Sequence, residues 1–214
     1  GCRPEDTIPE IWLEGATAVK KLRESGSIYF GKLEMDGLAV GHGPTRQRDQ
    51  ARNPWNLKCT PGGSSSGSGA AVAAGLIMGS LGEDTAGSIR FPAACCGLVG
   101  LKPTYGLVSR KGLVPLSWSL DHGGPMTRTI EDNAIMLQSC AGYDSLDPTS
   151  ARVSIPDYSS GIGRDIKEMV IGFPKHFVDH PDGALGDETR DAVEKSLEEL
   201  ETLGARIQEV HIPD

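Results

Sequence analysis

Apolar positions first recur at helical spacing between Gly15 and Gly26, where Ala18, Val19 and Leu22 share one face and Gly26 supplies a stop. The next run, Ser27–Gly31, is short and holds one β-branched and two aromatic residues, so it predicts a buried strand. Periodicity then vanishes over residues 41–68, a stretch rich in Gly, Pro, Asn, Ser and Arg. A long irregular segment inside a compact domain points to function or disorder. From Gly69 to Ser80 the chain is apolar nearly all round, the pattern of a buried helix. Short strands are predicted near Ser80–Leu81 and Gly97–Leu101.

Farther on, Thr129 through Cys140 predicts a helix with Thr129 as its cap, Asp132 three residues later, and Ile130, Ala134 and Leu137 on one face. Residues 142–165 read as linker. The final stretch predicts a strand (Met169–Phe173), a long acidic helix (Asp187–Leu203) and a strand (Ala205–Val210). Helices alternating with short apolar strands imply an α/β fold with a mainly parallel sheet.

Composition narrows the function classes. The 214 residues include 28 glycines and 14 prolines, so turn and loop are abundant, while 38% hydrophobic content suffices for a core. A formal charge of −8 argues against nonspecific contact with nucleic acid or anionic lipid, and no direct nucleic-acid binding is expected. No apolar run is long enough for a transmembrane helix, and the polar start Gly1–Asp6 is no signal peptide. Five cysteines (Cys2, Cys59, Cys95, Cys96, Cys140) with no CxxC spacing fit a reducing cytoplasm. Of the five histidines only His176 and His180 are close in sequence, in a Pro- and Asp-containing loop, so neither a metal nor a cofactor is expected.

Two segments carry candidate chemistry. Gly62–Gly69 (GGSSSGSG) runs into a helix start, where backbone N–H groups and hydroxyls can cradle an anion or oxyanion; a flexible linker is the alternative. Gly63–Gly67 also matches the G-x-S-x-G nucleophile elbow, with Ser65 as nucleophile, but the elbow needs a preceding strand and Lys58–Pro61 is poor strand text. Its partners would have to come from Asp121 with His176 or His211, and nothing around those histidines marks them. The second segment, Gly82–Ala93, sets small residues before Ser88, so that N–H groups can converge beside its hydroxyl, and lets Asp84 and Arg90 pair across the turn. A structural glycine turn with a satisfied salt bridge is the plainer reading of the same residues.

Taken together, Gly62-Gly63-Ser64-Ser65, Gly82-x-Asp84-Thr85-x-Gly87-Ser88-Ile89-Arg90-x-Pro92-Ala93 and Cys96-Gly97-Leu98-Val99-Gly100-Leu101-Lys102-Pro103-Thr104 resemble the amidase signature family. Arg52-Asn53-Pro54-Trp55 upstream and Ser119-Leu120-Asp121-x-x-Gly124-Pro125-Met126-Thr127-Arg128 downstream resemble its flanking blocks, and the likeness covers about residues 15–210. It implies the amidase signature fold, a mixed, mainly parallel sheet covered by helices on both faces, with residues 1–214 as the central part of one such domain.

The resemblance further implies a Ser–cis-Ser–Lys mechanism and a seryl acyl-enzyme. By position Ser88 is the nucleophile and Ser64 the bridging serine after a cis bond. The N–H groups of Thr85, Ala86, Gly87 and Ser88 form the oxyanion hole, with Gly63, Ser65, Asp84 and Arg90 supporting. Ser66 and Ala86 stand where the family more often has glycine; Ala86 fits if its φ is negative. The family's lysine belongs to a Lys-Asp element that this sequence lacks, so these residues alone are expected not to turn over amides. The first functional reading is a stand-alone amidase acting on a small-molecule amide, alone or as a homodimer. An alternative is the glutaminase-type A subunit of a tRNA-dependent amidotransferase, working with partner subunits. A third is a non-catalytic scaffold.

Overall fold

The structure is a computed structural model that describes residues 15–35, 39, 51–179 and 185–213. The chain divides after Ile162 into two compact units, a boundary inside the stretch predicted as linker. The polar start, most of the irregular 41–68 stretch's first half, and His42 and His180 lie outside the described residues.

In the first unit, strands β1 (Gly79–Asp84), β2 (Val99–Gly100) and β3 (His122–Thr127) form a sheet in the order β1-β3-β2, with both pairings antiparallel. The mainly parallel sheet expected from the sequence is therefore corrected here. The reason is β3: its Gly123-Gly124-Pro125 centre has poor strand propensity and went unseen between the two predicted strands. Glycine is needed there because a Cβ on Gly124 would lie 2.2 Å from the Leu101 carbonyl oxygen.

Strand alternation sorts the two faces of β1. Leu81 joins the cluster of Ala18, Val108, Leu137, Cys140 and Ala141, which draws on helices α1 (Thr17–Glu24) and α4 (Ile130–Cys140). On the other face, Met126 packs with Ile89 and Ala93, beside α2 (Ser66–Ala73) and α3 (Arg90–Cys96). Helices thus cover both faces of the sheet.

Local rules explain most boundaries. Thr129 caps α4 by accepting the Asp132 N–H, as its spacing predicts. The Ala-rich helix starts earlier than predicted and ends at Ala73; Gly75 (φ 72°) turns the chain left-handed, which frees the next residues to enter β1. Helix α3 was hidden by Pro92, yet proline is tolerated in a first turn, where N–H groups have no intrahelical acceptor. The predicted strand at Ser27–Gly31 does not form: Ile28 is 93% and Phe30 87% exposed, and no neighbouring strand among the described residues satisfies that backbone.

The second unit keeps the predicted order. Strands β4 (Val170–Phe173) and β5 (Arg206–Glu209) pair in parallel, Val170 against Arg206. The short helix α5 (Lys175–Val178) and the long α6 (Asp187–Thr202) supply the crossover that parallel strands need. Among the described residues no helix is long and apolar enough to cross a membrane.

Candidate active site

Two loops at the α2/α3 side of β1 bring the predicted serines into one region. The first is the entry to α2. The Gly63–Ser64 peptide is cis, and Ser64 is buried at 5% exposure with no hydrogen-bond partner for its hydroxyl. Ser65 occupies the cap position of α2, and its N–H donates to the Ser88 carbonyl at 3.2 Å. That bond ties the two serine segments together through their backbones. The Ser65 hydroxyl accepts the Glu83 N–H at 3.4 Å. Ser66 opens the helix, buried, with its hydroxyl also unpartnered.

No strand directly precedes Ser65, so the nucleophile elbow lacks its structural context. Asp121, its candidate orienting acid, instead accepts the Thr85 hydroxyl and the N–H groups of Leu116 and Ser117, the latter two at 2.8 Å.

The second loop leaves β1 at Asp84 and enters α3 at Arg90. Asp84 is fully buried and accepts five hydrogen bonds. They come from the N–H groups of Gly87 (2.7 Å), Ile89 (3.1 Å) and Arg90 (3.3 Å) and from Arg90 Nε (3.0 Å) and Nη2 (2.9 Å). Burial by itself would push this carboxyl up, but the Arg90 side chain and the three N–H groups outweigh it and hold the carboxyl below its ordinary range. The pairing of Asp84 with Arg90 read from the sequence is thus present.

Ser88 sits half-buried at the apex of this loop. Gly87 has φ 132°, a conformation that favours glycine, whereas Ala86 is not among the positive-φ residues and fits without strain. The Gly87 N–H points into Asp84, so of the four expected oxyanion donors this one is committed inside the loop. Among the described residues no lysine reaches Ser64: Lys20 meets Glu24, Lys21 donates to the Ala141 and Gly142 carbonyls, and Lys32 and Lys58 are exposed.

Sequence reading missed Glu83. It precedes Asp84 and therefore points to the opposite face of β1, where it is buried with Oε1 unpartnered. Burial first, and then the charge of Asp121, push its carboxyl up to about 7 against the opposing pull of Arg110. Its only sequence signal was an acid placed one residue before the loop acid. Among the described residues no group of three or more His, Cys, Asp or Glu side chains is placed to hold a metal ion.

A family model described as Amidase matches residues 10–214. The A subunit of glutamyl-tRNA(Gln) amidotransferase from Bacillus cytotoxicus is 50% identical over 199 residues, which cover 92% of this chain and 40% of that protein. Among solved structures, the A subunit of glutamyl-tRNA(Gln) amidotransferase from Thermotoga maritima superposes with a TM-score of 0.86 at 43% identity, covering 92% of this chain and 43% of that one. Native peptide amidase from Stenotrophomonas maltophilia gives a TM-score of 0.80 at 34% identity, covering 92% and 42%. The chain therefore spans about two fifths of the length of the curated relatives it matches.

Proposed function

The chain belongs to the amidase signature family, and from that premise we propose that it carries the acyl-transfer serines of a glutaminase-type amidotransferase A subunit. The relatives named as the A subunit of that amidotransferase, at 50% and 43% identity, favour this reading over the stand-alone amidase, whose similar structure stands at 34%. In this reading the substrate is a carboxamide, glutamine foremost, and the released ammonia goes to a partner subunit.

The observation that carries the proposal is Ser64. A hydroxyl buried without a partner is costly, and this one stands next to a residue whose N–H is bonded to the Ser88 carbonyl. A serine hydroxyl is a weak nucleophile that needs a base within hydrogen-bond reach. Ser88 Oγ attacks the amide carbon; its proton passes to Ser64, whose hydroxyl makes no hydrogen bond to Ser88 in this structure and must turn to reach it, and on to a base that then protonates the departing nitrogen. The N–H groups of Thr85, Ala86 and Ser88 support the developing oxyanion. Ammonia leaves, and water then releases the acid from the seryl ester. The unpartnered Ser64 hydroxyl is where the base acts. The resemblance makes that base a neutral lysine of a Lys-Asp element, which no residue of this sequence supplies.

A fluorophosphonate probe applied to the full-length protein tests the assignment. Ser88 should carry the adduct, Ser88→Ala should abolish labelling, and Ser64→Ala should lower glutamine turnover by ~10²–10⁴-fold. An adduct on Ser65 would overturn it. Turnover of glutamine against simple acyl amides, with and without partner subunits, separates the amidotransferase reading from the stand-alone amidase.

A further inference from the structure

Between Arg52 and Ser64 the chain makes a set of contacts that the serine chemistry itself does not explain. Asn53 is buried and its amide is fully used: Nδ2 donates to the carbonyls of Thr60 (3.1 Å) and Cys95 (2.8 Å), and Oδ1 accepts the Trp55 N–H (3.0 Å). Beside it, Trp55 Nε1 donates to the Cys96 carbonyl at 2.8 Å. Cys95 and Cys96 end α3, where carbonyls have no N–H one turn farther on. Asn53 and Trp55 therefore cap that helix from another part of the chain.

The two ends of this bridge lead to the two serines. Helix α3 begins just past Ser88, so its seven residues act as a rigid spacer from Ser88 to Cys95. On the other side, Thr60 lies four residues before Ser64. The intervening backbone is pressed on α3: the Cys96 thiol donates to the Pro61 carbonyl at 3.4 Å, and a Cβ on Gly62 would lie 2.7 Å from Pro92 Cα. We infer that Asn53 is a positioning residue for the acyl-transfer reaction, its Nδ2 holding the Thr60–Ser64 segment to the end of α3 and so fixing Ser64 against Ser88. This rests on the Ser64/Ser88 reading above.

The test uses the full-length protein and Asn53→Asp. Aspartate has the same shape and keeps the acceptor for the Trp55 N–H, but it offers no donor to the two carbonyls. Misplacement of reacting groups by about 1 Å can cost ~10²-fold, so Asn53→Asp should slow fluorophosphonate labelling of Ser88 and lower kcat by about that factor with KM unchanged. Leu137→Ala, in the other core cluster, serves as a destabilised reference and should lower Tm while Ser88 labels at the wild-type rate. Wild-type labelling of Asn53→Asp would overturn the inference and leave the serine assignment standing. Equal slowing of both variants in step with their lost Tm would overturn it too, reducing Asn53 to general stability. If the wild-type protein itself fails to label at Ser88, the serine assignment falls and this inference falls with it.

Discussion

Asp84 and Glu83 are neighbours on one strand, yet the two faces of β1 treat their carboxyls in opposite ways. On the face toward α2 and α3, Asp84 has no exposure and gathers three backbone N–H groups and a guanidinium. On the other face, Glu83 is nearly as buried but meets the charge of Asp121, and its Oε1 finds no donor. Similar burial therefore gives a carboxylate held ionised on one side and, on the other, a carboxyl that keeps its proton until about pH 7. Burial alone does not decide the charge of an acid; the donors that arrive with it do. The ionised one organises the loop that carries Ser88.

Removing Asp84 should produce the largest effect. Asp84→Ala leaves the N–H groups of Gly87, Ile89 and Arg90 without their acceptor, and each buried donor left unsatisfied typically costs about 1–3 kcal/mol. Labelling of Ser88 should fall by at least ~10²-fold, because the loop backbone positions that residue. Arg90→Ala should be milder in both readouts: the Arg90 side chain is half exposed, and its loss leaves Asp84 its three N–H donors. Denaturant unfolding and probe labelling of both variants check the order. A larger loss for Arg90→Ala would mean that the guanidinium, and not the backbone N–H set, holds the loop.

Glu83 predicts a pH dependence of defined sign. Its folded value is raised from 4.5 to about 7, so between these pH values the folded protein keeps a proton that the unfolded chain has released. Stability from this group is complete below about pH 4.5, falls as pH rises, and is lost above about pH 7. The span corresponds to roughly 3 kcal/mol. Glu83→Gln removes the titrating group and should flatten this part of the curve, leaving the variant more stable than wild type at pH 8. Superimposable pH–stability curves for the two proteins would show that Glu83 ionises freely, and the contrast between the faces of β1 would collapse.

These residues also show which parts of the molecule the sequence could disclose. The Asp84–Arg90 pair was legible because its two members lie six residues apart across one Gly-rich turn, whereas Ser64 and Ser88, 24 residues apart, were marked only by their place in the family's motifs. The cap of α4 was legible for the same reason as that pair: Thr129 and Asp132 are one turn apart. Glu83 was not, since its state depends on Asp121, brought near through the β1–β3 pairing, and β3 hides behind Gly123-Gly124-Pro125. Asn53 was visible as a residue of a recognisable block, but its bonds to Thr60 and Cys95 depend on where α3 ends, and Pro92 concealed that helix. At Ser27–Gly31 the composition favoured a strand, and what was missing was a neighbouring strand, which lies beyond any local pattern. The second unit was read almost element for element because its strands and helix are local and regular.

That second unit supplies the smallest expected effect and a control on the first. Asp179 and Arg190 form the same type of pair as Asp84 and Arg90, with Arg190 Nη2 also donating to the Val178 carbonyl at 3.2 Å. Here both side chains are partly exposed, at 45% and 33%, so water already solvates each charge and salt screens their attraction. Among the described residues no backbone N–H is left without its acceptor when Asp179 is removed, in contrast to the three that depend on Asp84. Asp179→Ala should therefore cost no more than about 1 kcal/mol, with the difference from wild type shrinking as salt is added. Ser88 labelling should be unchanged. Denaturant unfolding at low and high ionic strength measures this directly. A loss as large as that of Asp84→Ala would show that the ion pair itself, and not the orphaned backbone donors, accounts for the stability assigned to the serine-bearing loop.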